Sequence, residues 1–64
     1  MEPHQQRVVD EKTELDTKIE ALAKFIDGSP IFAKLAAEER GDLLSQISLM
    51  ERYSDLLGRR IARF

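Results

Sequence analysis

There is no cysteine anywhere in the 64 residues, and only one histidine. A disulfide staple is thereby excluded, as is a Cys/His metal site of the kind that supports many very small domains. No apolar run exceeds three residues, as at Ala21 to Ala23, whereas a helix needs ~20 to cross a bilayer. The opening residues show no basic segment followed by an apolar stretch, so the expectation is a soluble protein of a reducing, cytoplasmic compartment. A positive excess is missing too: ten Lys and Arg stand against twelve Asp and Glu, for a net charge of -2. That balance argues against long nucleic acid as a partner, because a duplex binder carries basic excess to neutralise phosphates. Glycine occurs only as the isolated Gly28, Gly41 and Gly58, which form no phosphate-cradling loop. The serines Ser29, Ser45, Ser48 and Ser54 sit in no nucleophile-elbow pattern. Carboxylate pairs such as Asp10 with Glu14 and Glu38 with Asp42 fall at helical spacing, but with cations beside them they read as a solvated face. The composition therefore points away from an enzyme.

What is present is helical periodicity. From Gln5 to Ile26 there is neither Gly nor Pro, and Val8, Leu15, Ile19, Leu22 and Ile26 recur at steps of seven, four, three and four. Those residues share one helix face. Asp27-Gly28 supplies a stop, since glycine accepts the left-handed conformation that ends helices. Ser29-Pro30 supplies a new start, with Ser as cap and Pro at the first helical position. Ser29 to Leu35 is read as a short helical corner that packs Ile31, Phe32 and Leu35. From Ala37 onward Leu43, Ile47, Met50, Leu57, Ile61 and Phe64 again form one stripe, weakened only by Gly41 and Gly58. The expected fold is all-α, a single domain over residues 1–64: an antiparallel two-helix hairpin with a short helical corner.

The charges agree with antiparallel packing. Asp10 to Glu20 holds five acids against two lysines, and Arg52 to Phe64 holds four arginines against Asp55; the hairpin brings these stretches side by side. Any one exposed pair contributes less than about 1 kcal/mol, so charge selects orientation more than it holds the fold.

A chain this short hides only about 60% of its unfolded surface when it folds alone. The second helix also carries more apolar surface than a hairpin uses. At about 100° per residue, Leu49, Tyr53 and Leu56 form a second stripe, and the two stripes together span roughly 180° of arc. A helix in two-layer packing needs little over ~100°. Either the corner segment covers the excess or, as we expect, another copy of the chain does, making Leu49, Tyr53 and Leu56 the candidate oligomer interface.

Four further side chains stand out. Arg60 continues the Leu49, Tyr53, Leu56 stripe by helical phase, whereas Arg52, Arg59 and Arg63 project to the polar side. A guanidinium at such an edge either pairs with a carboxylate of another chain or offers a fork to a phosphate. Lys18 borders the first stripe beside Leu15, Leu22 and Phe25, where its stem covers apolar surface or its ammonium meets an anion. His4 lies in phase with Leu22. Ser29 is a helix cap whose hydroxyl and neighbouring amides also suit an anion. Tyr53 is read as an interface residue with its hydroxyl at the rim.

The ordered set His4-Gln5-Gln6-Arg7-Val8-Val9-Asp10-Glu11-Lys12, Glu14-Leu15-Asp16, Lys18-Ile19, Phe25-Ile26, Ser29-Pro30-Ile31-Phe32, Leu35, Glu38-Glu39, Met50, Tyr53, Leu57 and Arg60-Ile61-Ala62 with Phe64 spans nearly the whole chain. It resembles the phage anti-CBASS cyclic-oligonucleotide sponges, which share a helical hairpin with the sponges acting against Thoeris signalling. The resemblance implies a compact homohexamer that sequesters bacterial immune second messengers without cleaving them and without a cofactor or metal. It implies two kinds of pocket. One, between paired subunits, takes cyclic dinucleotides and corresponds here to His4 for base stacking and Lys18 for phosphate. The other, where three subunits meet, takes cyclic trinucleotides and corresponds to Ser29 and Arg60. The partners expected are therefore cyclic di- and trinucleotides and the chain itself.

Two other readings stay open. A plain protein-protein interaction module would use the spare stripe to bind a partner helix, with no small ligand. A small phosphodiesterase would act on the same messengers, but the sequence offers it no metal cluster or nucleophile.

Overall fold

A computed structural model describes residues 1–64 as three helices: α1 over Pro3–Gly28, α2 over Pro30–Lys34 and α3 over Ala37–Ala62. Helix α1 packs lengthwise against α3 as an antiparallel hairpin, with α2 forming the corner, and the body measures 46 × 15 × 14 Å. A 26-residue helix is about 39 Å long, so the long dimension is little more than one helix. The expected hairpin with a helical corner is what the chain adopts.

The ends of the elements follow from local chemistry. Pro3 and Pro30 each open a helix at the first position, where a missing N–H costs nothing. The Glu2 backbone N–H donates to Gln5 Oε1 at 2.9 Å, closing off the start of α1. The exit from α1 differs from the sequence expectation. No glycine has positive φ, and Gly28 is simply the last helical residue. Ser29 ends the helix instead, extended at φ -86 and ψ 128, because a residue before proline is driven out of the helical region. The Ser29 hydroxyl accepts from the Ile31 amide at 3.1 Å, so one residue stops α1 and caps α2.

At the corner Phe25 and Phe32 meet edge to face with ring centroids 5.9 Å apart. Leu35 is half-buried, but Ile31, expected to pack there, is 60% exposed. The first turn of a five-residue helix points it outward. Ala36 precedes helix α3 as its N-cap residue and makes no side-chain cap hydrogen bond. Its acidic first turn at Glu38 and Glu39 and basic last turn at Arg59 and Arg60 suit the helix dipole. Arg40 reaches back to donate to the Ala33 carbonyl at 3.1 Å, tying α3 to the corner.

Between the long helices Val8, Leu15, Ile19, Leu22 and Ile26 of α1 are half-buried, as are Leu43, Ile47, Met50 and Ile61 of α3. Leu57 alone is fully enclosed. Phe64, assigned to that stripe from the sequence, lies beyond the end of α3 and is exposed. The Leu57→Ala variant should lose about 2 to 5 kcal/mol, enough to unfold much of a marginal hairpin. Gly41→Ala should raise stability by roughly 0.5 to 1 kcal/mol, because nothing lies within 4 Å of a Cβ there. Urea unfolding followed by circular dichroism checks both.

Candidate functional site

The two apolar stripes each contain one step of seven, from Val8 to Leu15 and from Met50 to Leu57. The positions skipped are Lys12 and Ser54, and in the hairpin they face each other. The Lys12 ammonium donates to Ser54 Oγ and to Asp16 Oδ2, each at 2.9 Å. The Ser54 hydroxyl in turn donates to Asp16 Oδ1. Ser54 is buried, and this triangle satisfies it fully, so no buried side-chain polar atom is left without a partner. The lysine stem passes over Gly58, where a Cβ would stand 3.4 Å from Lys12 Cε, in ordinary van der Waals contact. The Ser54 hydroxyl first, and then Lys12, hold the Asp16 carboxyl below the usual range. Sequence reading treated Ser54 only as an absent nucleophile. The signal for its role was the skipped helical step.

A second cross-link between the helices lies at the surface. The Tyr53 hydroxyl donates to Glu11, and that bond, with desolvation and the carboxylate charge, raises the tyrosine pKa while Arg60 opposes the shift. Tyr53 stands between two open grooves. One, of about 450 Å³, is lined by Leu49, Arg52, Tyr53, Asp55, Leu56 and Arg59. The other, of about 290 Å³, is lined by Glu11, Glu14, Leu15, Lys18 and Tyr53.

The spare stripe is open to solvent, with Leu49 61%, Tyr53 42% and Leu56 41% exposed. The corner does not cover it. Arg52 and Arg59, expected on the polar side, instead line the groove along this stripe. Arg60, Lys18 and His4 are all exposed, and Ser29 is half-buried in its cap. The one ion pair in the chain joins Lys12 to Asp16, which leaves Arg60 and Lys18 unpaired.

Within a single chain neither expected ligand pair comes together. His4 and Lys18 lie on one helix, about 21 Å apart along its axis. Ser29 is at the corner and Arg60 near the other end of α3, roughly 35 Å along the hairpin. Either pair meets only if different subunits contribute its members.

Asp16 makes the polar triangle pH-dependent with a definite sign. Its folded pKa lies below the ordinary 3.8, so its contribution is fully present above 3.8 and is lost as pH falls through the folded value. Acid titration followed by circular dichroism should show Asp16→Asn less stable than the parent at neutral pH, with the gap narrowing below 3.8.

No helix is long and apolar enough to cross a membrane. No solved structure matches the chain. An uncharacterized 7.5 kDa protein of the denB-rIIB intergenic region of Enterobacteria phage T4 is 41% identical over 61 residues, covering 95% of this chain and 94% of that protein. Residues 2–63 match the Sequestin family, and with both helices and the corner inside that span, this chain belongs to it.

Proposed function

We propose that this chain is a phage-type sponge for cyclic oligonucleotide second messengers of bacterial immunity, which it binds and holds without cleaving them. The observation that carries the reading is the Sequestin match over residues 2–63, a family whose name denotes sequestration and to which the phage relative is the natural companion. It agrees with the resemblance drawn from the ordered residues. Sequestration works by mass action in the cytoplasm of an infected host: each bound messenger is withdrawn from the effector that it would switch on.

The working form is a homo-oligomer, expected to be a hexamer. The exposed Leu49, Tyr53 and Leu56 support self-association, as does the separation of the ligand residues within one chain. Ser29 and Arg60 serve a cyclic trinucleotide pocket. The arginine is exposed and unpaired, and the serine hydroxyl, already accepting from Ile31, retains its proton to donate. His4 and Lys18 serve a separate dinucleotide pocket, the imidazole stacking on a base and the ammonium meeting phosphate. A ligand enclosed at a subunit junction gains contacts that no single hairpin of this size supplies.

Titration calorimetry on variants that remain oligomeric tests the assignment. A charge-assisted bond to phosphate contributes about 1.5 to 3 kcal/mol, so Arg60→Ala should weaken cyclic trinucleotide binding roughly ten- to a hundredfold. Ser29→Ala should cost less, and Lys18→Ala should impair dinucleotide binding selectively. Trinucleotide affinity unchanged in Arg60→Ala would refute the pocket, and a parent protein that binds no cyclic oligonucleotide would favour an interaction module. Ligand freed by heat should be chromatographically identical to the input; hydrolysed product would mean an enzyme.

A further inference from the structure

Arg60 is exposed and unpaired, and its own helix offers it no partner. Ion pairs along a helix form between residues three or four apart, and at those distances from Arg60 stand Leu56, Leu57, Arg63 and Phe64. A carboxylate that reaches it within the chain therefore comes from α1. Glu11 is placed to do so. It adjoins Lys12, whose stem passes over Gly58, two residues before Arg60. It also accepts from the hydroxyl of Tyr53, which lies on the same stripe as Arg60. The Arg60 charge is felt at that hydroxyl, where it opposes the upward shift produced by the Glu11 bond, by desolvation and by the carboxylate charge. A guanidinium in range of the hydroxyl is in range of the carboxylate bonded to it. Yet Glu11 and Arg60 form no ion pair.

The tyrosine accounts for that. An arginine fork grips a carboxylate best through both oxygens at once. In Glu11 the Oε2 oxygen is already taken by the Tyr53 O–H, so the two-oxygen grip is closed to Arg60. A one-oxygen contact is left, and at an exposed edge such a contact barely offsets the entropy of holding a long side chain still.

We propose that Tyr53 is a positioning residue for Arg60: by occupying Glu11, its hydroxyl keeps that carboxylate from closing on the guanidinium and leaves the fork open for ligand phosphate. Without the hydroxyl both Glu11 oxygens are free, and the carboxylate competes with phosphate for the same donors. The two residues therefore act on binding in opposite directions. The hydroxyl favours the ligand, and the carboxylate opposes it unless it is held. This inference rests on the Arg60 pocket of the proposed function, to which it adds the pair of groups that keeps the arginine available.

Rescue is the decisive test. Tyr53→Phe, Glu11→Gln and the double variant are compared with the parent by titration calorimetry against cyclic triadenylate. Tyr53→Phe should bind roughly two- to fivefold more weakly for each arginine that the pocket contains. Adding Glu11→Gln should restore the parent's affinity, and Glu11→Gln alone should bind at least as tightly as the parent. A hydroxyl that only braces the hairpin, or that meets the ligand itself, gives no rescue; failure of rescue overturns the proposal, as does full affinity in Tyr53→Phe. A second readout needs no ligand. Tyr53 is the only tyrosine and there is no tryptophan, so its ionisation is followed directly by ultraviolet absorbance. Glu11→Gln should lower the titration midpoint and Arg60→Ala should raise it; a midpoint that Arg60→Ala leaves unmoved overturns the proposal. A parent that shows these shifts but binds no cyclic triadenylate contradicts the Arg60 pocket itself, which separates that failure from a failure of the guard, where the parent binds and rescue does not occur.

Discussion

Two helices laid side by side have one seam between them, and a seam encloses little. In this hairpin Leu57 is the only apolar side chain removed fully from water, while Leu49, Tyr53 and Leu56 remain open on the flank of α3. Free energy from apolar burial scales with area, so a body 46 Å long and about 15 Å thick gains little from its own interior. The polar triangle of Lys12, Asp16 and Ser54 sits in that same narrow seam. It takes up the one stretch where the apolar stripes are interrupted and fixes the register of α1 against α3 by hydrogen-bond geometry, where aliphatic contacts alone would slide. Tyr53 repeats the cross-link one step further out, at the rim. The proposed oligomer follows from this constraint: surface that the seam leaves open becomes available for contact between copies, and residues too far apart to share a ligand in one chain are brought together by several.

Much of the fold was legible because helical periodicity is a property of spacing. The lengths of α1 and α3, their antiparallel pairing and the corner at Ser29-Pro30 all followed from where apolar residues recur and where proline interrupts them. The errors had local causes. Gly28 was read as the left-handed stop, but the residue before a proline is already forced to be extended, so Ser29 ended the helix first. Ile31 was packed at the corner because it is apolar, yet in a single helical turn only Phe32 faces the Phe25 ring. Ser54 and Lys12 each look like a gap when either stripe is read alone. Only the pairing of the two helices shows that the gaps coincide.

The functional surface was less legible. Helical phase identifies the Leu49, Tyr53, Leu56 stripe but sets Arg52 and Arg59 on the far polar side, whereas both line the open groove beside that stripe. Helical phase and resemblance together point to Arg60, Lys18, Ser29 and His4, and a pocket shared between subunits, as proposed, would leave no signature within one chain's spacing. Membership of the Sequestin family supplies the functional class that the residues alone leave open.

Native mass spectrometry of the intact protein mixed with a panel of cyclic di- and trinucleotides tests the central claim most directly, since it reads assembly and ligand mass together. The account predicts an oligomer carrying whole-number equivalents of uncleaved cyclic nucleotide. A bare monomer, an oligomer that retains none of the panel, or a bound mass increased by water would contradict it.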